Sequence, residues 1–98
     1  MIVIGGILIK DLNMLAKEVK LIRIKQVQAI SGLKRSTLYA YITKGIFPSP
    51  IKLGERCAAW VESEIFAVNQ ARIAEKSEQE IQELIAQLKA RRQQIGFQ

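Results

Sequence analysis

The stretch 34–44 holds the side chains best suited to chemistry, and that chemistry is the binding of anions. It opens with Lys34, Arg35, Ser36 and Thr37, two cations followed by two hydroxyl groups, and it contains no carboxylate. Ammonium, guanidinium and hydroxyl groups all donate hydrogen bonds to phosphate oxygens. A surface that offers donors without acids suits a polyphosphate partner. The stretch therefore predicts contact with a nucleic acid.

Catalytic and metal-binding chemistry has little support in the sequence. The 98 residues include no histidine and a single cysteine, Cys57. A Cys/His zinc site, a Ser-His-Asp triad and a disulfide framework are therefore excluded, and no Gly-rich phosphate loop occurs. We expect no enzymatic activity, no cofactor, no metal and no small-molecule substrate.

Charge is distributed unevenly along the chain, whose net charge is +6. Residues 20–60 carry eight basic side chains and one acid, whereas residues 61–83 carry six glutamates and two basic side chains. A basic segment followed by an acidic one indicates that one face meets an anionic polymer. The plainer alternative is a generally soluble basic protein.

Two short helices around Gly32 form a predicted helix-turn-helix. The first covers residues 25–30, and Gly32 supplies the turn because glycine takes positive φ without steric cost. The second covers residues 34–44 and ends at Gly45. Its inner face carries Leu38, Tyr41 and Ile42, and its outer face carries Ser36, Tyr39, Ala40, Thr43 and Lys44. We interpret the second helix as a recognition helix.

A hairpin follows this helix. Residues 47–50, Phe-Pro-Ser-Pro, cannot be helical, because proline lacks a backbone N–H and restricts the residue before it. Residues 51–53 and 57–60 are predicted strands, joined by a turn at 54–56.

Alternation along the hairpin predicts which side chains are buried. It places Ile51 and Leu53 in the core and Lys52 outside, while Trp60 covers the core from the return strand. With Lys52 and Arg56 near its tip, the hairpin fits the wing of a winged helix. The alternative is a hairpin that only stabilises the fold.

Two further helices are predicted after the hairpin. Ser63 is expected to cap the first, with Glu64 in its first turn, where the helix dipole favours an acid. The apolar side of this helix is predicted to carry Ile65, Phe66, Val68 and Ile73. The second helix covers residues 78–94. Its amphipathic stripe, spaced i, i+3, i+4 and i+7, consists of Ile81, Leu84, Ile85 and Leu88.

Three roles are open to this stripe on the last helix. It can pack back on the domain, pair with the same helix of a second subunit, or bind another protein. Pairing is slightly favoured, because the unit before it already looks complete. The fold class is thus mainly α with a small β-hairpin wing, a winged helix-turn-helix plus a C-terminal amphipathic helix.

The chain is predicted to form one small domain with an extension at each end. Residues 19–75 form the winged helix-turn-helix, residues 76–98 form the C-terminal helix, and residues 1–18 are disordered or form an extra strand. The apolar start, residues 1–9, lacks the basic region and cleavage site of a signal peptide. It is also shorter than the roughly 20 apolar residues that span a bilayer. We expect no contact with a membrane.

The chain resembles the AlpA family of small phage- and prophage-encoded regulators, part of the wider group of MerR-like winged helix-turn-helix proteins and excisionases. The resemblance covers residues 20–73, and its specificity comes from the order and spacing of the matching positions taken together. The matching positions are Leu21-Ile22-Arg23, Val27, Ser31-Gly32-Leu33, Arg35-Ser36-Thr37-Leu38-Tyr39, Ile42, Gly45, Phe47-Pro48, Pro50-Ile51-Lys52-Leu53-Gly54, Arg56, Trp60 and Glu64-Ile65.

The resemblance implies a DNA-binding protein of a mobile element, cytoplasmic and associated with the bacterial nucleoid. The second helix would enter the major groove, and the wing would follow the adjacent backbone. Such a protein would regulate transcription of integrase or excision genes. The close alternative is a recombination directionality factor, an excisionase, that binds attachment-site DNA.

Three positions depart from the family pattern. Lys34 stands where a helix-capping serine is usual, so the cap must come from elsewhere. Ala40 stands where an exposed arginine is common, which removes one DNA contact, and Val68 replaces a tryptophan. The helix at residues 78–94 exceeds the family minimum, so the resemblance assigns it no role.

Each candidate contact residue has a predicted role. Arg35 is the best base reader, since a guanidinium can bind guanine O6 and N7 bidentately, and a phosphate contact is the equal alternative. Ser36 and Thr37 suit a phosphate or simply cap the helix, and Tyr39 donates its hydroxyl to a phosphate. Four further cations are predicted to increase the affinity for DNA of any sequence through their charge: Lys34, Lys44, Lys52 and Arg56.

Double-stranded DNA is therefore the predicted partner. A homodimer or a cooperative array is expected, because a single small module buries only about 600–1,000 Å² on DNA. The rival from another class is an adaptor whose C-terminal helix engages a protein partner through Ile81, Leu84, Ile85 and Leu88.

Overall fold

A computed structural model describes residues 3–4, 7–8 and 19–95. Its first two strands, β1 (Val3–Ile4) and β2 (Ile7–Leu8), pair antiparallel with each other. The prediction for residues 1–18 otherwise lies outside the described residues, as does the end of the chain after residue 95.

The helix-turn-helix consists of α1 (Ile24–Ser31) and α2 (Arg35–Lys44). Gly32 ends α1 at φ +73°, and its N–H donates to the carbonyl of Gln28 at 2.8 Å. A residue with a β-carbon is strained in that conformation. Gly45 ends α2 in the same way at φ +77°. The turn and the stop are confirmed, with α1 one residue longer at each end than predicted.

A three-stranded antiparallel sheet completes the winged fold, in the order β3-β5-β4. The strands are β3 (Leu21–Ile22), β4 (Ile51–Gly54) and β5 (Cys57–Val61). In the central strand, Trp60 lies opposite Ile22 and is fully buried. Its indole N–H donates to the carbonyl of Pro48 at 3.0 Å, which gives the buried polar atom its partner. The predicted hairpin and the core position of Trp60 are confirmed.

The wing departs from the predicted alternation at Leu53. The pairing register of β4 shifts by one residue between Lys52 and Gly54, which makes Leu53 a bulge. Its side chain is 51% exposed, so the prediction that it lies in the core is wrong, and Ile51, predicted to be buried beside it, is only half-buried and lies outside the core cluster. A bulge breaks the two-residue period on which that prediction depended, and the hairpin tip extends past the core.

Two predictions about α3 (Glu62–Ile73) are also wrong. The helix starts directly after β5 with Val61 as its N-cap, so Ser63 lies inside the first turn and cannot cap it. Phe66 is 46% exposed and Ile73 is 81% exposed. The buried face turns away from both, because it consists of Glu64, Ile65, Ala67, Val68 and Ala71.

The last helix, α4 (Glu78–Ile95), begins with a reciprocal capping box. The backbone N–H of Ser77 donates to the Glu80 carboxylate, and the Glu80 N–H donates to the Ser77 hydroxyl, both at 3.1 Å. Hydrogen bonds with Ser77 hold the pKa of the Glu80 carboxyl below its ordinary value. The Ser77 backbone N–H has the largest effect, and the Ser77 side chain adds to it.

The stripe on α4 packs back on the domain. Ile81, Leu84 and Leu88 are buried in the same core as Trp60, and Ile85 packs at its edge. Packing on the domain is therefore the one of the three roles that the structure shows. The preference for pairing with a second subunit is wrong for this stripe, because Ile81, Leu84 and Leu88 are buried in this chain's own core and only Ile85 is partly exposed.

One carboxylate lies inside the core beneath α4. Glu64 on α3 is 4% exposed. It accepts from Nε and Nη2 of Arg92 at 2.9 and 2.6 Å. A buried carboxylate is costly unless it is paired and hydrogen-bonded, so this pair fixes the C-terminal half of α4 against α3.

Replacing Leu84 with alanine tests whether α4 belongs to the core. Leu84→Ala is expected to destabilise the fold by about 2–5 kcal/mol, because it removes buried methyl groups and leaves a cavity. The free energy of unfolding would be measured in urea through Trp60 fluorescence, at several protein concentrations.

The control is Ile73→Ala on the exposed side of α3, which should change stability by less than about 0.5 kcal/mol. A core position for Leu84 requires an unfolding midpoint independent of protein concentration. A midpoint that rises with concentration would place the stripe in a subunit interface instead.

Candidate nucleic-acid interface

The predicted recognition helix, α2, turns its donor face to solvent. Leu38 is fully buried, and Tyr41 and Ile42 pack against the core. Thr37 is half-buried, and the exposed residues on or next to the helix are Lys34, Arg35, Ser36, Tyr39, Ala40, Thr43 and Lys44. The periodicity therefore separated the two faces correctly, and the contacts assigned to the outer face remain predictions.

The start of α2 carries no side-chain cap. Lys34 takes an extended conformation before the helix, and its carbonyl accepts the N–H of Leu38 at 2.9 Å. The preceding N–H groups, those of Arg35, Ser36 and Thr37, have no carbonyl within the helix to bond. No acid occupies the first turn. The helix dipole therefore places uncompensated positive charge beside these donors.

Arg35 lies over the ring of Tyr39. Its guanidinium carbon is 5.8 Å from the ring centroid, within the range of a cation–π contact. The Tyr39 ring in turn packs edge-on against Trp60, with centroids 6.4 Å apart. The predicted base reader is thus supported through one aromatic ring by the central strand of the sheet.

The far end of α2 offers less hydrogen-bonding capacity than its start. The hydroxyl of Thr43 donates to the carbonyl of Tyr39 at 3.2 Å, so it is already engaged within the helix. Lys44 is exposed in the last turn, where a cation complements the dipole. The start of the helix is therefore its stronger anion-binding end.

The wing carries the other two predicted cations. Lys52 lies in β4, and Arg56 lies in the turn after it, both exposed. Glu55 stands between them in that turn. The structure thus places the eight predicted residues in two groups, one at α2 and one on the wing.

The ion pairs of the described residues lie elsewhere. They join Lys20 to Glu62, Lys76 to Glu80 and Arg92 to Glu64. Within the described part of the chain, none of the predicted contact cations has a carboxylate within salt-bridge distance. These cations are Lys34, Arg35, Lys44, Lys52 and Arg56. Their charge is therefore available to a bound anion.

Sequence reasoning missed the aromatic support of Arg35. Arg35 and Tyr39 are four residues apart, the spacing of neighbours on a helix, so their contact was available from the sequence. The contact between Tyr39 and Trp60 was not, since it joins two elements 21 positions apart in the chain.

The described residues show neither a metal site nor a membrane span. They contain no cluster of three or more cysteine, aspartate or glutamate side chains able to hold a metal ion. No helix among them is long and apolar enough to cross a bilayer.

Comparison with known proteins identifies the family. Residues 20–72 match the sequence profile of the prophage CP4-57 regulatory protein (AlpA). The chain is also 42% identical over 55 residues to the uncharacterized protein ORF88 of Enterobacteria phage P4. That match covers 56% of this chain and 62% of the relative's length. No solved structure gives a significant match to the chain.

The profile match contains the whole helix-turn-helix and the wing, and it ends within α3. It spans more than half of the 98 residues. The chain therefore belongs to the AlpA family of prophage regulatory proteins.

Proposed function

We propose that the protein is a sequence-specific regulator that binds double-stranded DNA and controls integrase or excision genes of a phage or prophage. In this proposal α2 enters the major groove and the wing follows the adjacent phosphate backbone. The observation that best supports the proposal is the outer face of α2. Its cations are unpaired among the described residues, and the first turn of the helix contains no acid.

The assembly on DNA is a second part of the proposal. A single module of this size contacts about 600–1,000 Å² of DNA. Specific binding would therefore use a dimer or a cooperative array on repeated sites. The α4 stripe is buried, so contacts between copies would have to use other surfaces.

The adaptor hypothesis is weaker than DNA binding. It needs Ile81, Leu84, Ile85 and Leu88 as anchors for a partner. Three of them are buried in the core of this chain, and Ile85 is partly buried against it. DNA binding instead uses a surface that is exposed in the described structure.

The proposal is tested by titrating the purified protein against labelled DNA from its own genomic neighbourhood and against random duplex, at several salt concentrations. Tight, footprinted binding at a promoter supports regulation. Footprints at repeats in an attachment site support the excisionase role. Weak and equal binding to every duplex would contradict the proposal.

Removing the predicted base reader should lower specificity. Arg35→Ala is expected to cost about 1–3 kcal/mol on the cognate site and to relax the preference at one base pair. The measurement is the dissociation constant on cognate and single-substituted sites. Lys89→Ala on α4, an exposed position that loses the same unit charge, is the control and should retain the preference.

Removing a wing cation should lower affinity without changing specificity. Lys52→Ala is expected to weaken cognate and random DNA alike and to reduce the slope of log K against log salt by about one, because one phosphate contact is lost. An unequal effect on the two DNAs would show that Lys52 reads sequence.

Two variants of Tyr39 separate its ring from its hydroxyl. Tyr39→Leu removes the ring under Arg35 and is expected to reduce discrimination by about 0.5–1 kcal/mol, the value of an exposed cation–π contact. Tyr39→Phe keeps the ring and should weaken all sequences equally, through loss of a phosphate contact. In the Arg35→Ala background, Tyr39→Leu should no longer change discrimination. A continued loss there would exclude the ring as the support of Arg35.

A further inference from the structure

The connection between the recognition helix and the wing is held by side chains from distant parts of the chain. Between residues 44 and 49, four of the six backbone carbonyls accept a hydrogen bond from such a side chain. The donors are Gln82 Nε2 to Lys44 (3.0 Å), Arg72 Nη2 to Ile46 (3.0 Å), Trp60 Nε1 to Pro48 (3.0 Å) and Arg92 Nη2 to Ser49 (2.7 Å).

These bonds supply hydrogen-bond donors, which the connection itself lacks. Pro48 and Pro50 have no N–H to donate, and the segment between α2 and β4 is neither helix nor strand. Ile46, Phe47 and Pro48 are nevertheless buried. Buried carbonyls need partners, which side chains supply at Ile46 and Pro48, and the bonds to Lys44 and Ser49 hold the two ends of the segment.

Two of the four donors come from α4. Gln82 bonds the last residue of α2, and Arg92 bonds the residue two positions before β4. One helix therefore touches both ends of the segment that separates the two predicted DNA-contacting elements. This helix lies beyond residues 20–72, the part that matches the family.

Arg92 suits this position because its planar fork makes three bonds at once. Nε and Nη2 donate to the two oxygens of Glu64, and Nη2 also donates to the Ser49 carbonyl, with 2.7 Å between Nη2 and the carbonyl oxygen. Glu64 is held by α3, which is part of the core. The path of the chain into the wing is thus tied to the core through one guanidinium, whereas a lysine could not repeat this geometry.

We propose that Arg92 is a positioning residue for DNA binding, which fixes the wing relative to α2 through the Ser49 carbonyl. The inference rests on the proposed DNA-binding function. Arg92 acts through Lys52 and Arg56. The distance of these two cations from the DNA phosphates depends on the position of the first residues of the wing. Arg92 is itself largely buried, with 18% of its side chain exposed.

Three variants test the proposal on the full chain. Arg92→Gln removes the donor to Ser49. The double variant Glu64→Gln/Arg92→Gln removes the same donor without leaving a buried carboxylate unpaired, which guards against misfolding. Ile81→Val removes one buried methylene from α4 and leaves Arg92 with both of its partners, so it perturbs the core but not the bond to Ser49. Lys89→Gln is the surface control.

The first readout is coupling to the wing. In both variants that lack Arg92, binding should weaken several-fold, and adding Lys52→Ala should have no further effect. Adding Arg35→Ala should cost the same factor as in the wild-type chain. In Ile81→Val and Lys89→Gln, Lys52→Ala should keep its full effect. An undiminished effect of Lys52→Ala without Arg92 would overturn the proposal.

The second readout needs no DNA. Amide hydrogen exchange in residues 51–58 should become faster in the variants that lack Arg92, whereas exchange in α1 and α2 should stay unchanged. Unchanged exchange in the wing overturns the proposal. If the wing loosens while the wild-type protein binds all duplexes equally, the proposed function fails and only the positional link between Arg92 and the wing survives.

Discussion

A carboxylate buried in a small hydrophobic core is the constraint on which most of this structure depends. Glu64 is buried on α3 among apolar side chains, and it tolerates that position only because Arg92 meets both of its oxygens. Breaking a buried ion pair by removing one partner costs about 3–5 kcal/mol. The folded chain avoids this penalty because α4 returns along the domain, and the same return buries Ile81, Leu84 and Leu88.

The ion pairs of the described residues follow the uneven distribution of charge along the chain. The acids of the described residues that take part in ion pairs, Glu62, Glu64 and Glu80, lie in α3 and α4. The cations of α2 and the wing have no such partners among the described residues. Of these three pairs only Glu64 with Arg92 is buried, and the other two lie at the surface. Unpaired positive charge thus remains at the surface proposed to meet DNA.

Local sequence patterns were sufficient to predict the helices and strands, but not to predict what each of them packs against. Gly32 and Gly45 marked the ends of α1 and α2, because a positive φ is a property of the single residue. The stripe on α4 was visible from its period, yet a period says only that a face is buried, not against what. Leu53, Phe66 and Ile73 were misplaced for the related reason that a bulge or a neighbouring element decides which face turns inward. The bond from Arg92 to Ser49 spans 43 positions, and no local signal reports it.

The pairing of Glu64 with Arg92 also has a consequence for the order of events during synthesis. The ion pair can form only after 28 further residues have been synthesised, because its second member is Arg92. The Ser49 carbonyl lies earlier in the chain and therefore lacks the same partner for longer. A nascent chain that ends before α4 would hold an exposed apolar face and an unpaired acid in its half-built core, a state prone to aggregation. The winged unit that matches the family can therefore begin to fold on the ribosome, but it reaches its final form only once α4 has emerged.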